Sequence, residues 1–127
     1  MVVTGAGKAF SASGDTPSFI KSYEDAEYRR KSLRSGRRLM EAQAEFPNPV
    51  VASINGPAVG LGCNVALMSD IVYIAESTFI ADTHVAIALV CDDGGAVFWP
   101  QLMGLLRCKE WRAPTACPRC TYSDHCS

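Results

Sequence analysis

The stretch NPVVASINGPAVGLGCNVALMSDIVYIAES, residues 48–77, carries the alternation from which the fold is read. Val50 to Ile54 is a short apolar run bounded by proline, which reads as a strand, and Asn55-Gly56-Pro57 closes it with a strong turn signal. Gly60-Leu61-Gly62 stands where a helix should begin, and Val65, Ala66, Leu67 and Met68 continue as a short buried helix. Ile71 to Ile74 is apolar without alternation, so a second strand is expected there, covered on both faces. Strand, helix and strand in this order predict an α/β protein.

The flanks extend the pattern. Upstream, VVTGAGKAFSASGDT (residues 2–16) begins as the end of a buried strand, so the chain is expected to start in mid-fold. From Ser18 to Glu45 the chain is helix-rich, with Phe19, Tyr23 and Ala26, then Leu33, Arg37, Met40 and Ala44, at spacings of three and four. Gly36 weakens its middle, predicting two helices or a kink. Downstream, STFIADTHVAIALVCDDGG (77–95) reads as a short strand, a polar loop and an apolar stretch ending in a tight turn; AVFWPQLMGLLRCKEW (96–111) reads as one amphipathic helix delayed by Pro100. Beyond Trp111 periodicity stops. The organisation expected is one domain at 1–110 and a disordered tail at 111–127, the product of an out-of-frame or alternative terminus.

Twelve Lys and Arg against thirteen Asp and Glu leave a net charge of -1, which offers no basic field for nucleic acid or an anionic membrane. The run YRRKSLRSGRRL is local, and its arginines read as a solvated helix face. No signal peptide is visible and no apolar run is long enough to span a bilayer, so a cytoplasmic location is expected. Of six cysteines, four crowd into the last twenty residues while Cys63 and Cys91 have apolar neighbours, a distribution that fits reduced thiols. Cys63 reads as a packed core thiol. In the tail, Cys117-x2-Cys120-x4-His125 starts like a zinc knuckle, but Cys126 follows the histidine at once; no metal is expected.

The glycines of residues 5–14 raise the question of a phosphate cradle. A G-x-x-x-x-G-K-[ST] loop ending at Gly7-Lys8 would need glycine at Val2 and Ser or Thr at Ala9. A G-x-G-x-x-G fingerprint from Gly5 meets Phe10 at its third glycine. Both fail. Two glycine-flanked turns, one near Gly14 and one at Gly60-Leu61-Gly62, could instead bring two backbone N–H groups to one oxygen, an oxyanion hole in which a helix N-terminus adds its dipole.

Three segments, VVTGAGKAFSASGD, NPVVASINGPAVGLGCNVALMSDIVYIAES and DTHVAIALVCDDGGAVFWPQLMG, together resemble the crotonase (enoyl-CoA hydratase/isomerase) superfamily in order and spacing, over about residues 1–110. The resemblance implies a partial crotonase-like fold of repeated ββα units and a site for an acyl-CoA thioester, with coenzyme A as part of the substrate and no separate cofactor. It implies that the N–H groups of Gly14 and Leu61 hold the thioester oxygen while an enolate forms, and that Ala12, Ser13, Asp15 and Thr16 line the CoA end. It also implies fatty-acid metabolism and a trimeric or hexameric homo-oligomer.

Typical hydratases of the family use two glutamates, and the matching positions here hold Asn64 and His84. Asn can orient water or a substrate oxygen but is no base, whereas His can exchange a proton near pH 7. The bland reading of His84 is a loop histidine with satisfied nitrogens. Asp92 occupies a position where some members of the family carry a carboxylate; Asp93 reads as a cap of the next helix, and Asp82 as a loop-fixing residue. Two functional expectations follow, an enoyl-CoA hydratase/isomerase-like enzyme and an inactive pseudoenzyme that binds acyl-CoA or full-length relatives.

Overall fold

A computed structural model describes residues 1–91 and 93–112. Asp92 and residues 113–127, with the candidate zinc-knuckle positions and all of the expected tail beyond Arg112, lie outside the described residues. The strands are β1 (Val2–Thr4), β2 (Val51–Ile54), β3 (Ala58–Val59), β4 (Ile71–Ile74) and β5 (Ile80–Ala81). The helices are α1 (Thr16–Glu24), α2 (Ala26–Ala44), α3 (Leu61–Leu67), α4 (Gly95–Met103) and α5 (Leu105–Arg112), with a 3₁₀ turn at Val85–Ile87.

The β2 strand is central. It pairs in parallel with β1, Val2 opposite Val51, and with β4, Val51 opposite Ile71, giving the order β1-β2-β4. Its side chains alternate, and Ala52 and Ile54 point into a core completed by Ala58, Ala66, Phe10 and Ile80. A second small sheet pairs β3 with β5 in parallel, and an isolated bridge joins Ser11 to Ala58. A further buried cluster, Cys63, Trp99 and Cys108, packs with Leu67, Ile80 and Met103 and fastens α4 to α3.

Four expectations need correction. The β1 strand is not buried: Val2 is 66% exposed, and among the described residues β1 is an edge strand paired with β2. The β4 strand is likewise at an edge of the sheet, and its side chains are exposed along its whole length, its apolar run notwithstanding. The break in the helical segment comes at Asp25, not at Gly36. Asp25 accepts hydrogen bonds from the backbone N–H groups of Glu27 (2.8 Å) and Tyr28 (3.0 Å), capping α2, while Gly36 passes through the helix interior. Finally, Pro100 lies inside α4 and the segment divides at Gly104, whose N–H still reaches Pro100 O at 2.9 Å, so two helices replace one.

The opening loop is tied to the sheet. Asn55, at the end of β2, accepts from Gly5 N through Oδ1 and donates to Gly7 O through Nδ2, both at 2.9 Å. These glycines are therefore occupied in joining two strand ends.

Candidate functional site

The two glycine turns lie side by side. Val59 N donates to Ser11 O at 2.9 Å, and Leu61 N, the first amide of α3, donates to Ser13 Oγ at 3.4 Å. Gly60 precedes it at φ 54°, in the left-handed region that a side chain rarely adopts, and Ser13 Oγ already fills the place a Cβ would take. Gly62 faces Ser11 just as closely, so a Cβ there would run into the Ser11 side chain. Ser13 itself has φ 76°, a conformation uncommon for a residue with a Cβ. Gly14 follows it, exposed, with the Phe19 ring beside its Cα.

The remaining expected CoA-end residues are spread along the entry to α1. Ala12 is exposed, Asp15 accepts a hydrogen bond from Ser18 Oγ at 3.1 Å at the start of α1, and Thr16 is the first residue of that helix.

Behind the Gly60 turn stands a buried polar chain. Asp82 Oδ1 accepts from His84 N at 3.1 Å and lies 2.6 Å from His84 Nδ1; the other ring nitrogen, Nε2, lies 3.1 Å from Asp93 Oδ2. Asp93 Oδ1 accepts from Asn64 Nδ2 at 2.6 Å and from Cys91 Sγ at 3.4 Å. Asn64 Oδ1 in turn accepts from Trp99 Nε1 at 2.8 Å, and both Asn64 and Trp99 are fully buried. His84 Cε1 lies 3.6 Å from where a Gly60 Cβ would stand, so the chain abuts the turn that presents Leu61 N–H.

The electrostatics follow from these contacts. The hydrogen bond to Asp82, then that to Asp93, pushes the His84 pKa up from 6.5 to about 12, against the effect of burial. His84 is thus held as an imidazolium, and the proton exchange near pH 7 expected of an unperturbed imidazole is not what this setting favours. For Asp93 burial is the largest influence and acts upward, yet the His84 hydrogen bond and charge outweigh it and hold the carboxyl below 3.8. Burial pushes the Cys63 thiol well up, with Asp82 adding to it, which makes Cys63 an inert core thiol. One ligand-type atom each from Asp82, His84 and Cys91 lie within 4.8 Å of one another. Both His84 nitrogens face carboxylates, so an ion there would have to displace a ring proton.

Of the expected residues, the structure thus brings Ser13, Leu61 and His84 together around Gly60, and joins Asn64 to His84 through Asp93. Asp93 is not a helix cap. The residue at that place is Gly94, without a side-chain bond, because the Asp93 carboxylate is turned inward to Asn64 and His84. Sequence reasoning considered Asp93 only as a cap and missed Trp99; the available signal was an acidic pair beside a helix start that carried an aromatic residue one turn in.

The comparisons agree with this architecture. The family model for enoyl-CoA hydratase/isomerase matches residues 1–113. A putative enoyl-CoA hydratase of Thermus thermophilus is 38% identical over 92 residues, 71% of this chain and 36% of the relative. A probable enoyl-CoA hydratase of Rhodobacter capsulatus is 32% identical over 107 residues, 84% of this chain and 41% of the relative. A solved enoyl-CoA hydratase/isomerase from Mycobacterium paratuberculosis superposes with a TM-score of 0.84 at 50% identity, covering 90% of this chain and 45% of that one. The chain spans less than half the length of each of these relatives. With the three quoted segments, the parallel β1-β2-β4 sheet and the family match running over the same residues, the chain belongs to the enoyl-CoA hydratase/isomerase family, within the crotonase superfamily.

Proposed function

We propose that this chain acts on acyl-CoA thioesters as an enoyl-CoA hydratase/isomerase-like protein, with the backbone N–H groups of Gly14 and Leu61 stabilising the oxygen of a thioester enolate. The observation that carries the reading is the contact between the two glycine turns, where Leu61 N–H meets Ser13 Oγ at 3.4 Å immediately beside Gly14. That bond is long for an N–H donor, so a carbonyl oxygen carrying growing negative charge competes with the hydroxyl for it. The α3 dipole adds to the same end. Ala12, Ser13, Asp15 and Thr16 would border the CoA portion, which belongs to the substrate; no separate cofactor is required. The setting proposed is cytoplasmic fatty-acid metabolism, in a family-like trimer or hexamer.

A second reading is favoured by one specific observation: Asn64 and His84 stand where typical hydratases carry glutamates. In it the chain binds acyl-CoA, or full-length relatives, without turnover. Incubating the full chain with crotonyl-CoA, following hydration by loss of the enoyl-thioester absorbance and binding by calorimetry, separates the two. Binding with turnover supports the enzyme, and binding alone supports the pseudoenzyme. Absence of any acyl-CoA binding refutes both thioester readings.

A further inference from the structure

Four side chains of the kinds that ligate metals meet behind the Gly60 turn: Asp82, His84, Cys91 and Asp93. One ligand-type atom each from Asp82, His84 and Cys91 lie within 4.8 Å of one another. Asp93 joins the group from both sides, with Oδ2 3.1 Å from His84 Nε2 and Oδ1 accepting from Cys91 Sγ at 3.4 Å. All four are withdrawn from water: the Asp82, His84 and Asp93 side chains are 2%, 10% and 14% exposed, and Cys91 is 4% exposed. An imidazole and a thiol beside the carboxylates distinguish this group from a solvated acidic patch.

The spacing and the outer contacts fit an ion. Around a tetrahedral zinc ion, with Zn–N and Zn–O of about 2.0–2.2 Å and Zn–S of about 2.3 Å, neighbouring ligand atoms stand roughly 3.3–3.6 Å apart. The 3.1 and 3.4 Å separations at Asp93 differ from that range by at most about 0.2 Å. Asp93 Oδ2 is buried and accepts no hydrogen bond, its contact with His84 being an ion pair, so it is the oxygen that faces an ion. The other oxygen, Oδ1, accepts from Asn64 Nδ2 at 2.6 Å, and the Asn64 amide is itself fixed by the Trp99 indole N–H at 2.8 Å. On the histidine, Asp82 Oδ1 engages Nδ1 at 2.6 Å, which sets the ring and leaves Nε2 pointing at Asp93. A carboxylate behind a ligating imidazole, and a hydrogen bond to a ligating carboxylate, are what hold metal ligands in place.

We infer that His84 Nε2, Cys91 Sγ and Asp93 Oδ2 form a binding site for a thiophilic divalent cation, zinc by its ligand chemistry, with Asp82 and Asn64 as positioning residues. Nitrogen, sulfur and oxygen together favour zinc over magnesium and calcium, which take oxygen ligands. On binding, the His84 Nε2 proton and the Cys91 thiol proton pass to solvent and metal bonds take their places, while the third bond forms from the ionised Asp93. Two positive charges leave as two enter, so the buried charge is unchanged and nothing is oxidised or reduced. The ion ties the loop after β5 to the loop before α4, and its fourth position is left for water. The site is independent of the acyl-CoA reading.

The test titrates cobalt(II), the spectroscopic stand-in for zinc, into the reduced full chain and into the same chain carrying Cys117→Ser, Cys120→Ser and Cys126→Ser, which removes competing thiols. The substituted chain is expected to bind one ion with a thiolate-to-cobalt charge-transfer band, which zinc abolishes and magnesium does not. In that background Cys91→Ser is expected to lose the band, and His84→Gln and Asp93→Asn to weaken binding. Asp82→Asn is expected to cost about 10–100-fold in affinity, the usual range for a residue that orients a metal ligand, with the band retained at saturation. No thiolate band in the chain lacking the three cysteines, or a band that survives Cys91→Ser, overturns the inference. Where Cys91→Ser fails to fold by circular dichroism, zinc-edge X-ray absorption of the chain lacking the three cysteines decides. A shell with one sulfur and an imidazole supports the site, and a shell without either one overturns it.

Discussion

Trp99→Phe tests the polar chain at its anchored end. Trp99 and Asn64 are both fully buried, and the indole N–H donates to Asn64 Oδ1 at 2.8 Å. Phenylalanine keeps the apolar packing against Cys63 and Cys108 in part but has no donor, so the amide oxygen stays buried without its partner. Leaving a buried acceptor unsatisfied costs about 1–3 kcal/mol, and the space left by the smaller ring adds a cost of the same sign. With a urea slope of roughly 1–3 kcal/mol per molar for a chain of this size, the unfolding midpoint should fall by about 1 M with the slope unchanged. Urea titration followed by circular dichroism measures this. Cavity and hydrogen bond are separated by a double-mutant cycle with Asn64→Leu. If the bond is the cause, the two changes are less than additive, with a coupling of about 1–2 kcal/mol. Additivity to within roughly 0.3–0.5 kcal/mol would refute the reasoning, since the cavity term alone needs no partner at position 64.

Gly62→Ala places a methyl into the Ser11 side chain and should cost about 1–3 kcal/mol as overpacking, together with acyl-CoA affinity, because α3 must move away from the Ser13 turn. Ser11→Gly in the same chain should restore both, as read by thermal melts and calorimetry. The His84 pKa is raised on folding, so its stabilisation is complete below about 6.5 and is lost progressively as pH rises from there toward about 12. Urea midpoints between pH 7 and 10 should therefore fall with pH, and His84→Gln should flatten that slope; an unchanged slope shows that His84 is not responsible. Asp93 carries the opposite sign, its contribution being present above 3.8 and lost as pH falls through its lowered folded value. Asp25→Ala should reduce helicity in the far ultraviolet, and Asp25→Ser should largely retain it, because the serine hydroxyl can accept the same N–H bonds to α2.

The local reading was soundest where one residue type has one reason to be in place. Proline-bounded Val51–Ile54, the Asn55-Gly56 turn and the helix start at Gly60 are all imposed by backbone geometry, and all stand where their sequence signals lie. Asn64 and His84 were identified as altered positions by counting through the segments that resemble the family. The helix break was less legible, since Gly36 lowers propensity only modestly whereas the Asp25 side chain satisfies two N–H groups of α2 directly. Strand coverage was not legible at all. Ile71–Ile74 has the composition of a two-sided buried strand, but what covers a strand's faces is set by the elements that pack on it, and among the described residues all four side chains of β4 are exposed.

By itself, the sequence determined the α/β alternation and the two glycine turns, because these depend on short-range periodicity and on backbone conformations open to few residues, and its three motif segments carried the resemblance to the family. Only the tertiary structure decided how Asn64 and His84 are connected. Asp93 is 29 residues from Asn64 in the chain and joins it at 2.6 Å. An aspartate before a helix has the same local signature whether it caps that helix or turns inward, and its direction is settled by donors that other elements supply: the Asn64 amide, oriented by Trp99, and the imidazolium of His84, held by Asp82.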